Sequence, residues 1–432
     1  MSIFHGGIAF PRAKGKLQTI SVDASCVCLN VDDPTVAVGD LVAKGQSLGS
    51  VVGRVQLATI SGRVTEVSHG LLRIAAPSDE EQGMIPAVDR VPFGKRTGKT
   101  LLEATPDELL AEIRLAGLVD PDGTALYDRF VRLLELSENG KLRTVAVSLL
   151  EPDPASLTLS SLGLEMAEEI AGGLAILLRL LNIPEGVIIC DKAHPKVMSA
   201  VSDACKESRL IAVESVENRY PMHHYKLLSR YLGQRELSPR STPEAAGLVF
   251  LNAETAIDVY QLFSTGIPRL CVRTTLWEDG VATVYDLPLG MQLSDLWEMG
   301  LWKSVSAPEK ESGERKFLLK PSNASPICMG LMNGSIPPDT ADRSVTVLTP
   351  ALDGAEEDDC IRCGRCAQVC PMYLHPYRFL PQRPRWTLFG GMLKDGANCI
   401  GCGACSYVCP SNLPLRRYVL RARQEVDFSR KV

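Results

Sequence analysis

The fold of the C-terminal region is decided by two stretches, Cys360-Ile-Arg-Cys363-Gly-Arg-Cys366-Ala-Gln-Val-Cys370-Pro371 and Cys399-Ile-Gly-Cys402-Gly-Ala-Cys405-Ser-Tyr-Val-Cys409-Pro410. Both follow the spacing C-x2-C-x2-C-x3-C-P and are therefore two copies of one motif. They contain eight of the 14 cysteines in a chain of 432 residues. Secreted domains stapled by disulfides are short and spread their cysteines over the core. Such tight bunching in a long chain therefore indicates metal ligation.

This spacing is that of ferredoxins with two [4Fe–4S] clusters. Three cysteines can wrap one cluster from a tight loop, in which Gly364 and Gly403 allow the backbone to come close. A short helix then carries the fourth cysteine to the other cluster, so the two motif copies exchange one ligand. We predict one cluster on Cys360, Cys363, Cys366 and Cys409, and one on Cys370, Cys399, Cys402 and Cys405. Two zinc ribbons are the alternative, although zinc sites usually consist of C-x2-C arms separated by a longer stretch.

Composition and charge narrow the class of protein. A length of 432 residues predicts several domains, and a net charge of −5 gives no reason to expect nucleic-acid binding. The first residues lack the apolar segment of a signal peptide. The most apolar stretch, Ile170 to Cys190, is interrupted by Arg179, Pro184 and Glu185, so we expect no transmembrane segment in this chain. These features predict a cytoplasmic location.

The N-terminal region reads as short strands separated by glycine turns. Residues 34–68 contain V-x-x-G-D-x-V-x-x-G-Q followed by I-S-G-x-V, a pattern that resembles the barrel-sandwich hybrid of biotinyl and lipoyl carriers. Those carriers present a modified lysine on the hairpin between the two halves. The corresponding stretch here, residues 49–57, contains no lysine. We therefore interpret this region as a packing module rather than a group carrier.

The remaining chain divides into further modules. Residues 100–270 alternate helices and strands in a βαβ rhythm, which predicts a Rossmann-like α/β domain. A hairpin around the Glu278-Asp279-Gly280 turn and a helix near 292–299 fit a small β-grasp (SLBB-like) module. We thus predict a multidomain α/β protein that ends in an α-helical two-[4Fe–4S] ferredoxin domain. The predicted boundaries are 1–98 (barrel-sandwich hybrid), 99–266 (Rossmann-like), 267–310 (β-grasp), 311–354 (connecting segment) and 355–432 (ferredoxin).

The two cysteine motifs with their flanks, including Met372-Tyr-Leu-His-Pro376 and Ser411-Asn-Leu-Pro-Leu415, resemble the C subunit of the Rnf ion-translocating electron-transport complex. The opening Gly6-Gly7-Ile8, followed by Pro11 and Lys14 or Lys16, and the order of the modules fit the same family. The resemblance implies an α/β domain like the flavin subunit of respiratory complex I, which binds FMN and oxidises NADH. Carried over residue by residue, it implies cofactor contacts at Gly117, Glu151, Asn252 and Thr255.

Two loops depart from the family pattern. The flavin loop of the family is rich in glycine, whereas residues 116–125 here read Ala-Gly-Leu-Val-Asp-Pro-Asp-Gly-Thr-Ala. Glycines let backbone N–H groups approach a phosphate, and we expect Asp120 and Asp122 to repel one. In place of the family's Y-P-x-G-G-E stands Tyr220-Pro-Met-His223-His224-Tyr225. Adjacent histidines of this kind could form a metal or quinone-proton site but are more often a solvated loop feature.

These observations predict an electron-transfer subunit of an Rnf-type, membrane-associated oxidoreductase of the NADH:ferredoxin class. It would hold two [4Fe–4S] clusters, with FMN as a further candidate cofactor, and would lie on the inner face of the cell membrane. Its partners would be the other subunits of the complex and a redox protein such as ferredoxin. The alternatives are a soluble flavin and iron–sulfur reductase, like the cobalamin reductase of microcompartments, and an electron donor to a partner reductase. Basic residues such as Arg416 and Arg417 would offset the negative charge of the clusters.

Overall fold

The computed structural model of the protein describes residues 6–9, 17, 19–68, 70–86, 93, 96, 101, 103–120, 124–152, 156–233, 236–238, 241–278, 281–291, 299–300, 316–321, 330–333, 345–349, 358–380 and 396–429. Outside these ranges lie Pro11, Lys14, Lys16, Asp122 and residues 292–298 of the helix predicted near 292–299. Within them, no helix is both long enough and apolar enough to cross a membrane.

The N-terminal region contains short strands and one short helix. They are β1 (Ile8–Ala9), β2 (Thr19–Ser21), β3 (Cys26–Asn30), β4 (Asp33–Pro34), β5 (Leu41–Val42), β6 (Ser47–Val51), β7 (Arg54–Leu57), β8 (Gly62–Ser68), β9 (Leu71–Ala75) and α1 (Asp79–Gln82). One sheet has the order β3-β9-β8-β5 and another the order β4-β6-β7. Apolar residues alternate along the strands, and Leu29, Leu48 and Leu72 from both sheets share one core. The β6–β7 hairpin lies against the next domain, because the Arg54 side chain packs on Gly117.

The central region is the predicted α/β domain. Its elements are α2 (Pro106–Ala116), α3 (Leu126–Glu138), β10 (Thr144–Ser148), α4 (Thr158–Glu165), α5 (Ala167–Leu180), β11 (Glu185–Asp191), α6 (Pro195–Ala204), β12 (Ile211–Val216), β13 (Arg219–Tyr220), α7 (Tyr225–Gly233), a 3₁₀ turn (Pro243–Ala246), β14 (Leu248–Asn252) and α8 (Ala253–Thr265). All pairings in the sheet β12-β11-β10-β14 are parallel. β10 is the first strand of this sheet in the chain, and it lies between β11 and β14. The sheet extends through β11 and β12 on one side of β10 and through β14 on the other, so the strand order reverses between β10 and β14. Such a switch point leaves a crevice at the carboxyl ends of the strands.

The hairpin that the sequence predicted after residue 268 is present as β15 (Cys271–Glu278) and β16 (Val281–Pro288). It belongs to a six-stranded sheet with the order β18-β17-β19-β15-β16-β2. On one side of the hairpin the sheet continues with β19 (Val345–Thr349), β17 (Lys316–Pro321) and β18 (Gly330–Asn333), and on the other side with β2. This sheet therefore takes strands from three of the modules predicted from the sequence.

A buried ion-pair network ties the hairpin to the α/β domain. Arg269 lies just before β15, and its Nε donates to Asp258 Oδ1 at 2.7 Å, while an Nη lies 3.3 Å from Glu254 Oε1. All three side chains are almost fully buried. Burial disfavours the charged guanidinium, but the two carboxylates outweigh that cost and raise the pKa of Arg269 above its ordinary value. Arg269 therefore stays charged inside the domain core.

The C-terminal domain is small and helical. It contains α9 (Arg365–Gln368), a 3₁₀ turn (Pro376–Phe379), α10 (Ala404–Tyr407) and α11 (Leu415–Ser429). Met372 and Ile400 of this domain pack against an apolar cluster of the α/β domain that includes Leu150 and Leu228. The two-cluster domain therefore lies against the carboxyl-end side of the parallel sheet.

Candidate functional site

The eight motif cysteines surround two separate pockets. In each copy of the motif a glycine with positive φ, Gly364 (φ 76°) or Gly403 (φ 80°), precedes a four-residue helix that carries the third cysteine. One pocket, of about 260 Å³, is lined by Cys360, Cys363, Cys366 and Cys409. The other, of about 20 Å³, is lined by Cys370, Cys399, Cys402 and Cys405. The structure thus brings the thiols together in the two crossed sets.

The donor chemistry of both sets fits an iron–sulfur cluster. Among the described residues, no three His, Cys, Asp or Glu side chains stand close enough to hold a single metal ion. The four cysteines of each set instead line a common pocket, and main-chain N–H groups donate to two of the sulfurs. Gly401 donates to the sulfur of Cys399 and Leu374 to that of Cys370, each at 3.4 Å. Hydrogen bonds of this kind tune the potential of a bound cluster.

The two pockets differ in burial. Cys363 is exposed at the surface, whereas Cys370 is buried and burial raises the pKa of Cys402 to about 12. A buried thiol with a raised pKa stays protonated unless a metal replaces the proton. One pocket therefore reaches the surface at Cys363, and the other lies within the C-terminal domain, next to its face on the α/β domain.

Two arginines of α11 approach the deeper pocket. Arg416 donates from Nε to the carbonyl of Gly401 at 2.6 Å, and Arg423 donates to the carbonyl of Cys399 at 3.0 Å. The sequence predicted this role for Arg416, but Arg417 is exposed and does not line either cysteine pocket. Arg423 was not predicted. Its spacing of seven residues from Arg416, which places both on one helix face, could have indicated it.

An interdomain cavity of about 540 Å³ adjoins the deeper pocket. Ser148 and Asn252, the last residues of β10 and β14, line one side of it, at the switch point of the sheet. Arg416 and Arg423 line the opposite side. Cys402 lines both this cavity and the deeper cysteine pocket. The cavity is therefore in direct contact with the loop of one predicted cluster.

The charge of Asp120 is neutralised within the cavity wall. Its carboxylate forms an ion pair with Arg129, and Thr255 Oγ1 donates to Asp120 Oδ1 at 2.9 Å. Arg129 also donates to the carbonyl of Phe250 at 2.6 Å. The carboxylate of Asp120 is therefore paired in the cavity wall, which weakens the repulsion of a phosphate that its charge alone would predict. With Asp120 and Arg129 balanced, Arg416 and Arg423 make the cavity attractive to anions.

The four residues to which the resemblance assigned cofactor contacts lie in different places. Asn252 lines the cavity and caps α8, accepting from the N–H of Thr255 at 2.9 Å, and Thr255 supports Asp120. Gly117 instead ends α2 in the left-handed conformation, at φ 64°. A side chain there would collide with Arg54, so this glycine joins the N-terminal region to the α/β domain. The cavity wall does not include Gly117 or Glu151.

Glu151 organises the loop that follows β10. Its carboxylate accepts from the hydroxyl of Ser156 at 2.7 Å and from the main-chain N–H of Ser160 at 2.8 Å. The carboxyl group is fully buried, and loss of hydration raises the pKa of Glu151 to about 7 despite these hydrogen bonds. Its position indicates a structural role at the start of α4.

We expect the stability of the protein to depend on pH through Glu151. The folded state favours the neutral carboxyl, so stability is undiminished below about pH 4.5 and is lost as the pH rises through about 7. Between pH 5 and pH 8 the variant Glu151→Gln should gain about 2–3 kcal/mol relative to the wild type. Urea unfolding of both proteins at the two pH values measures this difference. A difference that stays constant with pH would contradict the buried, neutral carboxyl.

The histidine pair forms part of the cavity wall rather than a solvated loop. Both His223 and His224 line the cavity, and the ring centroid of His223 lies 5.5 Å from that of Tyr220. His224 Nδ1 accepts from the main-chain N–H of Lys226 at 3.2 Å. Burial lowers the pKa of His223 to about 4 and that of His224 to about 3, so both rings are neutral at pH 7. They present flat, uncharged surfaces to the cavity.

Two family models match the two halves of this site. Residues 113–261 match the Nuo51 FMN-binding domain, and residues 359–413 match the 4Fe-4S dicluster domain. The matches confirm the α/β domain of the complex I flavin type and the C-terminal dicluster domain predicted from the sequence. A flavin-type α/β domain joined to a dicluster domain defines a class of iron–sulfur electron-transfer proteins.

Curated relatives specify the class further. The C subunit of the ion-translocating oxidoreductase complex of Rhodobacter capsulatus is 28% identical over 362 residues, which cover 80% of this chain and 66% of that protein. The C subunit of the proton-translocating ferredoxin:NAD(+) oxidoreductase complex of Clostridium ljungdahlii is 25% identical, over 79% of this chain and 74% of that protein. The predicted resemblance to the Rnf C subunit is thereby confirmed. This chain spans about two-thirds of the length of the Rhodobacter protein.

A solved structure is similar over a comparable share of the chain. The NAD+-reducing [NiFe]-hydrogenase in its H2-reduced state aligns with 80% of this chain and 69% of that chain, at a TM-score of 0.46 and 12% identity.

Proposed function

We propose that this chain is the electron-transfer subunit of an Rnf-type ion-translocating oxidoreductase complex. The observation that carries the proposal is the position of Cys402, which lines both the interdomain cavity and the deeper cysteine pocket. A redox group in that cavity would lie beside one cluster without any intervening domain. The C subunits of such complexes in Rhodobacter capsulatus and Clostridium ljungdahlii resemble this chain over about four-fifths of its length.

The ligand assignment is part of the proposal. Cys360, Cys363, Cys366 and Cys409 would hold the outer cluster, and Cys370, Cys399, Cys402 and Cys405 the inner one. A [4Fe–4S] cluster supplies one-electron transfer. The chain contributes the short loops, the N–H groups that point at sulfur, and the cationic side chains of Arg416 and Arg423. These charges offset the negative charge of the inner set.

The cavity suits a flavin in size and charge. Its volume of about 540 Å³ falls within the usual range for ligand sites. Arg423 and Arg416 would attract the phosphate, Asn252 would offer a polar contact, and the neutral rings of His223 and His224 would face a flat ring system. A bound FMN would divide the two electrons of a hydride into single electrons. We propose Asn252 as a contact in this site, with Thr255 acting through Asp120, rather than Gly117 and Glu151.

The exposure of the two cysteine sets suggests the order of the redox groups along the electron path. No cysteine of the inner set is exposed and Cys402 lines the cavity, whereas Cys363 is exposed and the neighbouring Ile361 has 67% of its surface exposed. We infer that electrons pass between the cavity, the inner cluster, the outer cluster and a protein carrier such as ferredoxin that docks over Cys363. The other subunits of the complex would hold this chain on the inner face of the membrane.

Two finer features of the fold belong to the same proposal. The two small sheets of the N-terminal region would form a barrel-sandwich hybrid. The β15–β16 hairpin would form the centre of a β-grasp module of the SLBB type. Both would act as packing modules, as the contact between Arg54 and Gly117 illustrates.

Anaerobic purification with iron, sulfide and flavin analysis tests the function. We expect about eight iron atoms per chain and binding of added FMN in the cavity. The variant Arg423→Gln removes a charge-assisted contact and should weaken FMN binding roughly ten- to a hundredfold. Arg421→Gln is the matched control, because Arg421 lies on the same helix but is exposed and outside the cavity wall. Iron close to eight, with equal FMN affinity in both variants, would contradict the flavin site but not the clusters.

A further inference from the structure

A short segment outside the electron path touches both domains at once. The main-chain N–H of Gly7 donates to the carbonyl of Val369, just after α9, at 2.9 Å. The next residues form β1, in which Ile8 pairs with Tyr220 and Ala9 with Arg219 of β13. Residues 6–9 therefore connect the α/β domain to the two-cluster domain through main-chain contacts.

Gly6 shows how closely this segment approaches the two-cluster domain. Its φ of 76° is unfavourable for residues with a side chain. A Cβ atom added here would lie 2.7 Å from the carbonyl oxygen of Val369 and 2.9 Å from that of Gln368. Both are backbone atoms and cannot move aside as a flexible side chain could. The segment can lie in this position because residue 6 is glycine.

Tyr220 extends the contact to the inner cysteine set. Its side chain is buried at 1% exposure, and its hydroxyl donates to the carbonyl of Cys402. Tyr220, Val369 and Ala404 form one apolar cluster, against which Ile8 and Cys402 pack. The pairing with β1 therefore fixes Tyr220, and Tyr220 in turn fixes the loop that carries Cys402.

We propose that residues 6–9 are a strap that positions the two-cluster domain, with Tyr220 as the positioning residue for the inner cluster. The strap supplements the contacts of Met372 and Ile400 on the other side of the interface. Its effect on electron transfer rests on the function proposed above, whereas the docking role does not. The strap would keep Cys402 at the wall of the cavity and prevent the cluster domain from swinging away.

Hydrogen exchange on the anaerobically purified holoprotein tests the docking role. In the variant Gly6→Ala the amides of Arg219, Tyr220, Met222 and residues 402–408 should lose protection by roughly tenfold or more, because the interface opens more often. Gly53→Ala is the matched control, since Gly53 has a similar φ of 74° but no atom within 4 Å of an added Cβ. Equal exchange in the two variants overturns the strap.

A redox titration tests the role of Tyr220. Tyr220→Phe keeps the ring but removes the hydroxyl that donates to Cys402, so the midpoint potential of the inner cluster should shift while that of the outer cluster stays unchanged. Tyr407→Phe, which alters an exposed tyrosine on α10, is the control. Unchanged potentials in Tyr220→Phe overturn the positioning role. If the protein binds no flavin and transfers no electrons from the cavity, the function proposed above is wrong. The hydrogen-exchange result still shows whether residues 6–9 hold the two domains together.

Discussion

Replacement of Cys370 by serine is expected to remove the cluster held by Cys399, Cys402 and Cys405. The cluster of its own motif copy, which the preceding cysteines hold, should remain intact. Cys370 lines the pocket of Cys399, Cys402 and Cys405, not the pocket of Cys363 and Cys366. Serine is a poor ligand for iron in this setting, so iron should fall from about eight to about four atoms per chain. Iron and sulfide analysis with electron paramagnetic resonance of the reduced protein measures the loss.

The mirror-image variant makes the experiment decisive. Cys409→Ser should remove the outer cluster, held by Cys360, Cys363 and Cys366, and spare the inner one. Cys28→Ser is the control, because Cys28 lies on β3, outside both pockets, and should leave the iron content unchanged. If Cys370→Ser instead abolished the signal of the outer cluster, the crossed arrangement of ligands would be refuted.

Removal of the buried Arg269 charge should cause the largest loss of stability. Arg269→Met leaves the carboxylates of Asp258 and Glu254 inside the core without their cation. Breaking a buried ion pair from one side costs about 3–5 kcal/mol, because the remaining charge is neither hydrated nor paired. The urea midpoint of the α/β domain, followed by far-ultraviolet circular dichroism, should fall accordingly.

A surface pair provides the comparison for Arg269. Lys206 and Asp203 are 2.6 Å apart but both largely exposed, so Lys206→Met should cost less than about 1 kcal/mol. Adding Asp258→Asn and Glu254→Gln to Arg269→Met should restore part of the stability, because no buried charge then remains. If Arg269→Met lost no more stability than Lys206→Met, the buried ion pairs of Arg269 would not stabilise the fold in the way that their burial predicts.

Local sequence signals predicted the parts of the protein that depend on short spacings. The cysteine motifs determine which thiols can share a pocket, because loop and helix length leave few arrangements. Pro106-Asp107-Glu108 predicts the start of α2, which begins at Pro106, and the structure adds a capping box in which the main-chain N–H of Glu108 donates to Thr105 Oγ1 at 3.3 Å. The apolar strands β10, β11 and β14 likewise follow from their composition.

The interdomain cavity could not be predicted from local patterns. Its walls combine Asp120, His223, Asn252 and Arg423, which are far apart in sequence and meet through tertiary packing. The sequence shows the charge of Asp120 but not its ion pair with Arg129, nine residues away on α3. Arg269 and its carboxylates likewise look like surface charges until the packing of α8 against β15 is known.

The contact between Gly7 and Val369 also bears on the order in which the domains of the protein fold and dock. These residues are roughly 360 positions apart, and the contacts most distant in sequence close late in folding because the loop entropy must be overcome first. The two-cluster domain should therefore remain undocked while the other domains fold, with the Cys402 loop still accessible. We expect iron and sulfide to enter the inner pocket during this interval, before the two domains dock. A chain that docked too early would limit access to an empty pocket, so late formation of this contact would favour filling of the inner site first.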